Sequence, residues 1–276
     1  MILQDVLTEG ERKLEAAGVP EAKLNAWFLF AACFDITKSQ FFLRARQSAE
    51  EKAYHRFQEF LSQRCRRIPL EYVLGETEFM GLPFVVNEHV LIPRQDTECL
   101  VEQALAYAEC ADVLDLCTGS GCIGISLAKL VSCKSMTLSD QSREALAVAE
   151  QNAALNEVTA CFVESDLFAS LSGRYDLIVS NPPYIPSGEI RKLMPEVKDY
   201  EPHSALDGSE DGLLFYRRII SGSISFLKEG GRLFFEIGSD QGEAVTRLMI
   251  EAGFLDVQVK QDLAGLDRVV FGQNKW

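Results

Sequence analysis

"VLDLCTGSGCIGISLAKL", residues 113–130, runs from an apolar strand into a glycine loop and then into a helix. Gly119, Gly121 and Gly124 fall in the spacing G-x-G-x-x-G, and Asp140, 19 residues after Gly121, ends the next predicted strand. Glycines so placed let the backbone turn sharply and approach a ligand. An acid at the second strand end accepts hydrogen bonds from ribose hydroxyls. A loop of this kind serves any adenosine-bearing cofactor.

The neighbouring strand ends discriminate further. Asp115 opens the loop in "DLCTGSG", and Asp166 follows in "ESDLF" at the end of the third predicted strand. Ligands in open α/β sheets bind at those carboxyl ends. Three acids delivered there suit a cofactor with a cationic head and no pyrophosphate. S-adenosylmethionine, with its ammonium and sulfonium groups, fits better than a dinucleotide.

"NPPY", Asn181, Pro182, Pro183 and Tyr184, falls at the end of the fourth strand, "YDLIVS", beside the same cleft. A planar amide or amine nitrogen is a poor nucleophile because its lone pair is delocalised. Its plane must be held and its nitrogen aimed at the methyl carbon. The Asn181 side-chain oxygen and the Pro182 carbonyl can each accept one N–H and stabilise charge developing on that nitrogen. The Tyr184 ring can stack on the flat group, and the prolines stiffen the loop.

Outward from this centre, the pattern from residue 99 onward alternates short apolar strands with amphipathic helices such as 142–155, the mark of a parallel sheet covered on both faces. Further strands are predicted at "SMTLSD", "CFVES", "GRLFFEIG", "DVQVK" and "DRVVFG". Residues 1–73 instead carry helical periodicity, with Gly18 as a helix stop and Ser48, three residues before Glu51, as a capping box for a helix whose inward stripe is Tyr54, Phe57, Phe60 and Leu61. That helix ends in Arg64, Arg66 and Arg67, read as helix-dipole complementation or as a basic contact for a partner. Residues 74–92 read as a linking β-hairpin around Gly81-Leu82-Pro83, and 93–276 as the α/β domain.

The 276 residues carry a net charge of −14, which disfavours a protein whose affinity rests on wrapping phosphate backbone. Eight cysteines form no C-x-x-C pair and the three histidines lie apart from them, so reduced structural thiols are expected and no metal. The start has no signal-peptide pattern, and the longest apolar stretch, "LNAWFLFAACF", is too short to span a bilayer. A cytoplasmic protein is expected.

"DLCTGSG", "SD" at 139–140, "SDLF" and "NPPY" resemble the motifs of Rossmann-like, class I S-adenosylmethionine-dependent methyltransferases acting on planar nitrogen. "LEYVLGETEF", "IPRQDTE", "YEPHSALDGSEDGLLFYRRII", "FFEIGSDQG" and "DLAGLDRVVFG" are similar to the HemK family in particular, so the resemblance covers nearly the whole chain. That family methylates the side-chain nitrogen (N5) of the glutamine in the Gly-Gly-Gln motif of class 1 peptide-chain release factors. The resemblance implies that Cys117, Thr118, Gly119, Ser120 and Gly121 line the methionine end of the cofactor. Asp140 would hold the ribose, Asp166 and Phe168 would flank the adenine, and Asn181 to Tyr184 would grip the glutamine amide. "RQDTE" would lie in a loop covering the site, and the helical domain would dock the release factor. A monomer with no direct nucleic-acid or membrane contact is implied. Two positions depart from the family pattern: Cys117 replaces a common glycine, and Gln95 stands where proline is usual.

Two rival classes remain at this level. A nucleic-acid amino-methyltransferase also acts on flat nitrogens, but it needs a basic channel or a recognition module. A nicotinamide-dependent dehydrogenase is allowed by the glycine loop alone and leaves "NPPY" and Asp166 unexplained.

Overall fold

The computed structural model describes residues 1–275 and divides into a helical unit, Met1–Gly75 with Met194–Tyr200, and an α/β unit, Glu76–Leu193 with Glu201 onward. The helical unit holds α1 (Leu3–Ala16), α2 (Ala22–Phe34), α3 (Lys38–Arg44), α4 (Glu51–Cys65) and α5 (Leu70–Leu74). Its core gathers Leu14, Leu29, Phe30, Phe57 and Leu61, so the apolar stripe of α4 does face inward. The expected capping box at Ser48 is not formed: Glu50 is the N-cap of α4 and offers no side-chain bond. Ser48 instead bridges Ile2 in extended backbone, which delays the helix start. A capping box closes α3, where Thr37 and Gln40 exchange side-chain bonds.

Two of the three clustered arginines, Arg64 and Arg67, are spent inside this unit, while Arg66 stays exposed. Arg64 is 4% exposed and donates to Asn25, to the Ile68 carbonyl and to Glu196 (2.8 Å). Arg67 donates to both oxygens of Glu196, at 2.6 and 2.7 Å. Neither arginine is therefore a partner contact. Both fix Met194–Tyr200, a segment from far along the chain that a boundary at residue 73 does not include.

The α/β unit begins with β1 (Glu76–Phe79) and β2 (Leu82–Val85), a hairpin turning at Met80–Gly81, both with positive φ. It continues through α6 (Gln95–Ala108), β3 (Asp112–Leu116), α7 (Cys122–Leu130), β4 (Ser135–Asp140), α8 (Arg143–Leu155), β5 (Cys161–Glu164) and β6 (Tyr175–Ser180). The one-turn helices α9 (Pro195–Lys198, in the helical unit) and α10 (His203–Leu206) follow. Then come α11 (Leu214–Phe226), β7 (Leu227–Glu236), α12 (Gly242–Glu251), β8 (Leu255–Gln261) and β9 (Asp267–Gln273).

The seven strands lie in the order β5-β4-β3-β6-β7-β9-β8. β3 to β7 pair in parallel, but β9 is antiparallel to both neighbours, so the sheet is mixed rather than wholly parallel. The reason is length: a turn at Asp262–Leu266 joins β8 to β9, too short for a parallel crossover. Strand order reverses between β3 and β6, which opens a crevice at their carboxyl ends. Apolar cores fill both faces, one around Leu100, Val113 and Leu138, the other around Leu114, Ile178 and Phe235.

The hairpin is part of this unit, not a free linker. Asn152 of α8, fully buried, bonds the Val85 amide and carbonyl and also the Ser120 carbonyl, tying hairpin to glycine loop. Asn156 adds a bond to the Pro83 carbonyl.

Candidate active site

β3 ends at Leu116 and the chain turns through Cys117, Thr118, Gly119, Ser120 and Gly121 into α7. Cys117, Gly119 and Gly121 all sit at positive φ, +62°, +54° and +81°. A left-handed position favours glycine, which gives a physical reason for the glycine common at position 117 in the resembling family. Here a non-glycine residue holds it, and burial raises its thiol far above the ordinary range, so Cys117 stays a neutral thiol. Gly124 is demanded by packing: a Cβ there would lie 2.4 Å from Leu138 and 3.0 Å from Asp115.

The three acids divide their roles. Asp115 is fully buried beneath the loop and does not face the cleft. Its Oδ2 accepts the Thr118 hydroxyl (2.6 Å) and the Gly124 amide (2.9 Å), while burial raises its pKa to about 7. Asp140 does line the cleft, pinned by the Gly119 and Ser142 amides, each at 2.9 Å. Burial raises its pKa, and the Ser142, Gly119 and Gln141 amides pull the other way. Asp166 lines the rim, where Arg218 holds both carboxylate oxygens at 2.9 and 2.8 Å. Phe168 lies elsewhere: its ring stacks on Phe226 at 4.8 Å, and Leu167 faces the cleft in its place.

At the end of β6, Ser180 donates to the Leu116 carbonyl at 2.6 Å, fastening the two strand ends together. Asn181 and Pro183 line the cleft. The Asn181 amide nitrogen donates to the Thr97 hydroxyl, a long bond of 3.5 Å that turns the amide oxygen away from Thr97. Pro182 and Tyr184 are set back from the cleft wall. The Tyr184 hydroxyl donates to Glu236 at 3.2 Å, which holds its ring against the apolar core rather than over the opening. "RQDTE" is not a loop: Arg94 is the N-cap of α6 and Gln95 its first residue, the position proline favours.

Two returning stretches complete the walls, His89–Arg94 after the hairpin and Pro202–Ala205 around α10. The second is locked to "NPPY" by its glycines. A Cβ on Gly208 would lie 2.8 Å from the Tyr184 backbone, and one on Gly212 would lie 2.4 Å from its carbonyl. Reading for cofactor chemistry did not pick out Thr97, Leu167, Ser204 or Glu236. Their signals were present in "IPRQDTE", "SDLF", "YEPHSALDG" and "FFEIG", stretches quoted only for resemblance.

These stretches together wall the cleft. Its floor is a left-handed glycine loop, its side a pinned carboxylate at Asp140, and its cover the apolar Leu167 and Phe215. That set fits S-adenosylmethionine: lone pairs remain on Asp140 for ribose hydroxyls, apolar surface meets the purine, and acidic surroundings favour the cationic end. Among the described residues no group of His, Cys, Asp and Glu is placed to hold a metal ion, and no helix is long and apolar enough to cross a membrane.

A seven-stranded sheet with a single reversed strand, a glycine loop after its first parallel strand and an Asn-Pro-Pro-Tyr turn after its fourth define an S-adenosylmethionine-dependent methyltransferase. The Methyltransferase small domain family matches residues 95–195, and the PrmC N-terminal domain matches residues 5–75. The release factor glutamine methyltransferase of Geobacter sulfurreducens is 41% identical over 262 residues, covering 94% of this chain and 92% of that protein. The one of Cereibacter sphaeroides is 42% identical over 268 residues, covering 96% of each. A solved methyltransferase from Pyrococcus furiosus shares the fold at TM-score 0.54 and 14% identity, over 72% of this chain and 91% of that one. The chain belongs to the release factor glutamine methyltransferase family.

Proposed function

We propose that this chain transfers a methyl group from S-adenosylmethionine to the side-chain amide nitrogen (N5) of the glutamine in the Gly-Gly-Gln motif of class 1 peptide-chain release factors. The observation that carries the reading is the placing of Asn181 at the cleft wall with its amide nitrogen committed to Thr97. Its amide oxygen and the Pro182 carbonyl are then the acceptors for the two N–H bonds of a primary amide. Holding both N–H groups fixes the plane of the glutamine and aims its nitrogen. It also stabilises the positive charge that grows on that nitrogen as the bond to carbon forms. The cofactor supplies an electrophilic methyl whose leaving group is a neutral thioether. Cys117 to Gly121 cradle its methionine end, Asp140 its ribose, and Asp166 with Leu167 its adenine. Pro183 contributes the rigid wall of the amide site, and Tyr184 braces the turn from behind.

The helical unit docks the body of the release factor, with exposed Phe42 (79%) and Leu43 (86%) as its contact candidates in place of Arg64 and Arg67. An interface of standard size needs tens of residues a side, more than a cleft around one glutamine supplies. The enzyme acts as a cytoplasmic monomer without direct nucleic-acid contact. The test is incubation of the full chain with labelled cofactor and purified release factor, followed by peptide mapping. One methyl on the Gly-Gly-Gln glutamine is expected. Label in a nucleic-acid fraction, or on another residue of the release factor, overturns the reading.

A further inference from the structure

Gln241 stands between β7 and α12 as the N-cap of that helix, yet its side chain makes no capping bond. Short polar residues such as Ser, Thr, Asp and Asn cap well because they reach the first amides of their own helix. A longer glutamine there is free for another task. Its side chain is buried, 7% exposed, and joins three stretches of the α/β unit. Nε2 donates to the Tyr184 carbonyl at 3.0 Å and to the Gly212 carbonyl at 3.4 Å. Oε1 accepts the Gly238 amide at 3.0 Å and the Tyr216 hydroxyl at 3.3 Å. A primary amide has two N–H donors and two lone pairs on its oxygen, so all four are taken. A backbone carbonyl only accepts and a backbone N–H only donates, so these partners also fix which end of the amide is which.

The slot is built around that amide. A Cβ on Gly212 would lie 2.7 Å from Nε2, and one on Gly238 would lie 3.1 Å from Oε1. Two glycines, in "SEDGLLF" and "FFEIGSDQG", leave room for one carboxamide. What it holds is the end of the Asn-Pro-Pro-Tyr turn. At its start the turn leaves β6, where Ser180 pairs with Phe235 of β7 and bonds the Leu116 carbonyl. Pro182 and Pro183 carry no N–H and cannot donate to an anchor. The turn is therefore fixed beyond them, where Gln241 bonds the Tyr184 carbonyl.

We propose that Gln241 is a positioning residue for methyl transfer: its carboxamide clamps the Tyr184 carbonyl to the Gly212 segment and so sets where the Asn181 oxygen and the Pro182 carbonyl meet the substrate amide. The proposal rests on the amide-methylating reading above. Gln241 stands behind the cleft wall and works through the turn, not on the reacting atoms.

Gln241→Glu keeps the shape and exchanges both donors for a carboxylate that only accepts. That carboxylate would face the Tyr184 and Gly212 carbonyls in a buried slot, and both burial and the carbonyls disfavour its charge. Acidification returns a proton, and with it one O–H donor, so the clamp partly re-forms. The titratable and charged neighbours are Tyr184, Tyr216 of α11, Glu236 at the end of β7, Asp240, and Asp267 and Arg268 of β9. They are common to wild type and variant, so the ratio of the two rates at each pH isolates position 241.

The experiment uses the full chain with intact release factor and saturating cofactor, and calorimetry for cofactor affinity. Wild type is measured first: no methyl on the glutamine sinks the proposed function, and the present inference with it. Given wild-type transfer, Gln241→Glu near pH 8.5 is expected to lower kcat by about ten- to a hundredfold, the scale of a misplacement approaching an ångström. Cofactor affinity and KM for the release factor stay within about twofold, as for a contact that matters only in the transition state. The ratio of variant to wild-type kcat climbs as the pH is lowered toward 6. Wild-type kcat in the variant, a ratio that does not change with pH, or cofactor affinity that falls as far as kcat overturns the inference and leaves the proposed function standing. If Gln241→Glu does not fold, Gln241→Ala decides, because it removes the clamp and leaves room for water. It should lose kcat by a similar factor and keep cofactor affinity. Wild-type kcat in Gln241→Ala, or parallel loss of kcat and affinity, overturns the inference.

Discussion

Replacing Asp115 by asparagine tests the least exposed part of the site. Asp115 sits fully buried under the glycine loop, with Oδ2 bonded to Thr118 and Gly124 and Oδ1 without a partner. Burial lifts its pKa from 3.8 to about 7. A rise of roughly three units, at 1.36 kcal/mol each, makes its ionisation cost the fold about 4 kcal/mol at high pH. The sign follows from the direction of the shift. The folded state holds the proton more tightly than the unfolded chain, so the contribution is fully favourable below pH 3.8. It is lost as pH rises through about 7.

Asparagine keeps the shape and one accepting oxygen, but its amide nitrogen would replace the unpartnered Oδ1 and carry a penalty of about 1–3 kcal/mol at every pH. Asp115→Asn should therefore gain on wild type as pH rises and be the more stable of the two near pH 8.5, with a swing of about 3 kcal/mol between pH 5 and pH 8.5. The assay is urea unfolding of both proteins across that range, taking their difference at each pH so that other titrating groups cancel. A difference that stays flat across the range would mean that Asp115 is ionised without penalty, and the account of a costly buried charge would be wrong.

Glu196→Ala should destabilise the helical unit by about 3–5 kcal/mol, because it strands the buried Arg64 guanidinium. Trp27 fluorescence in a Trp276→Phe background reads this, and a loss under about 1 kcal/mol would mean that Arg64 finds water. Despite burial, which raises it, the Arg67 and Arg64 bonds hold the Glu196 carboxyl down to about 2; that stabilisation is therefore present above the ordinary 4.5 and fades as pH falls toward 2. Asp140→Ala should weaken cofactor binding by about 1.5–3 kcal/mol in calorimetry through lost charge-assisted bonds, and unchanged affinity removes it from the ribose site. Asn181→Ala should leave that affinity intact while single-turnover transfer falls about a hundredfold or more; survival of the rate would refute the gripping role.

What could be read from the sequence was whatever local pattern carries. Glycine spacing, three strand-end acids and the proline turn lie within short windows, and the strands around them alternate with helices at regular intervals. What could not be read were the partners. Asn181 meets Thr97 across 84 positions, Tyr184 meets Glu236 across 52, and Arg64 meets Glu196 across 132. No periodicity encodes such pairings, so Arg64 and Arg67 looked like free charges and Asp115 like a cofactor contact. Phe168 was misplaced for a related reason. The sequence marks an aromatic after Asp166, but only the neighbouring α11 decides whether the ring faces the cleft or Phe226. There, a Cβ on Gly222 would lie 2.5 Å from the Phe168 ring, so the space left by that glycine is what admits it.

The rigidity of the Asn-Pro-Pro-Tyr turn has the same divided origin. Its prolines restrict φ at two residues and cannot hold the turn against the sheet. Holding comes from chain that returns 20 to 60 positions later. Gln241 donates to the Tyr184 carbonyl at 3.0 Å, the Ile185 amide donates to Leu206, and the Gly208 amide donates to Ile185. Gly208 and Gly212 let that returning backbone approach closer than any side chain permits. Immediately before this stretch, Pro202, Ser204 and Ala205 form a wall of the cleft. A segment that braces the amide site is therefore continuous with one that bounds the cofactor site. The geometry between nucleophile and methyl donor is set by one stretch of backbone rather than by two independent loops, which is what a transfer demanding an in-line approach requires.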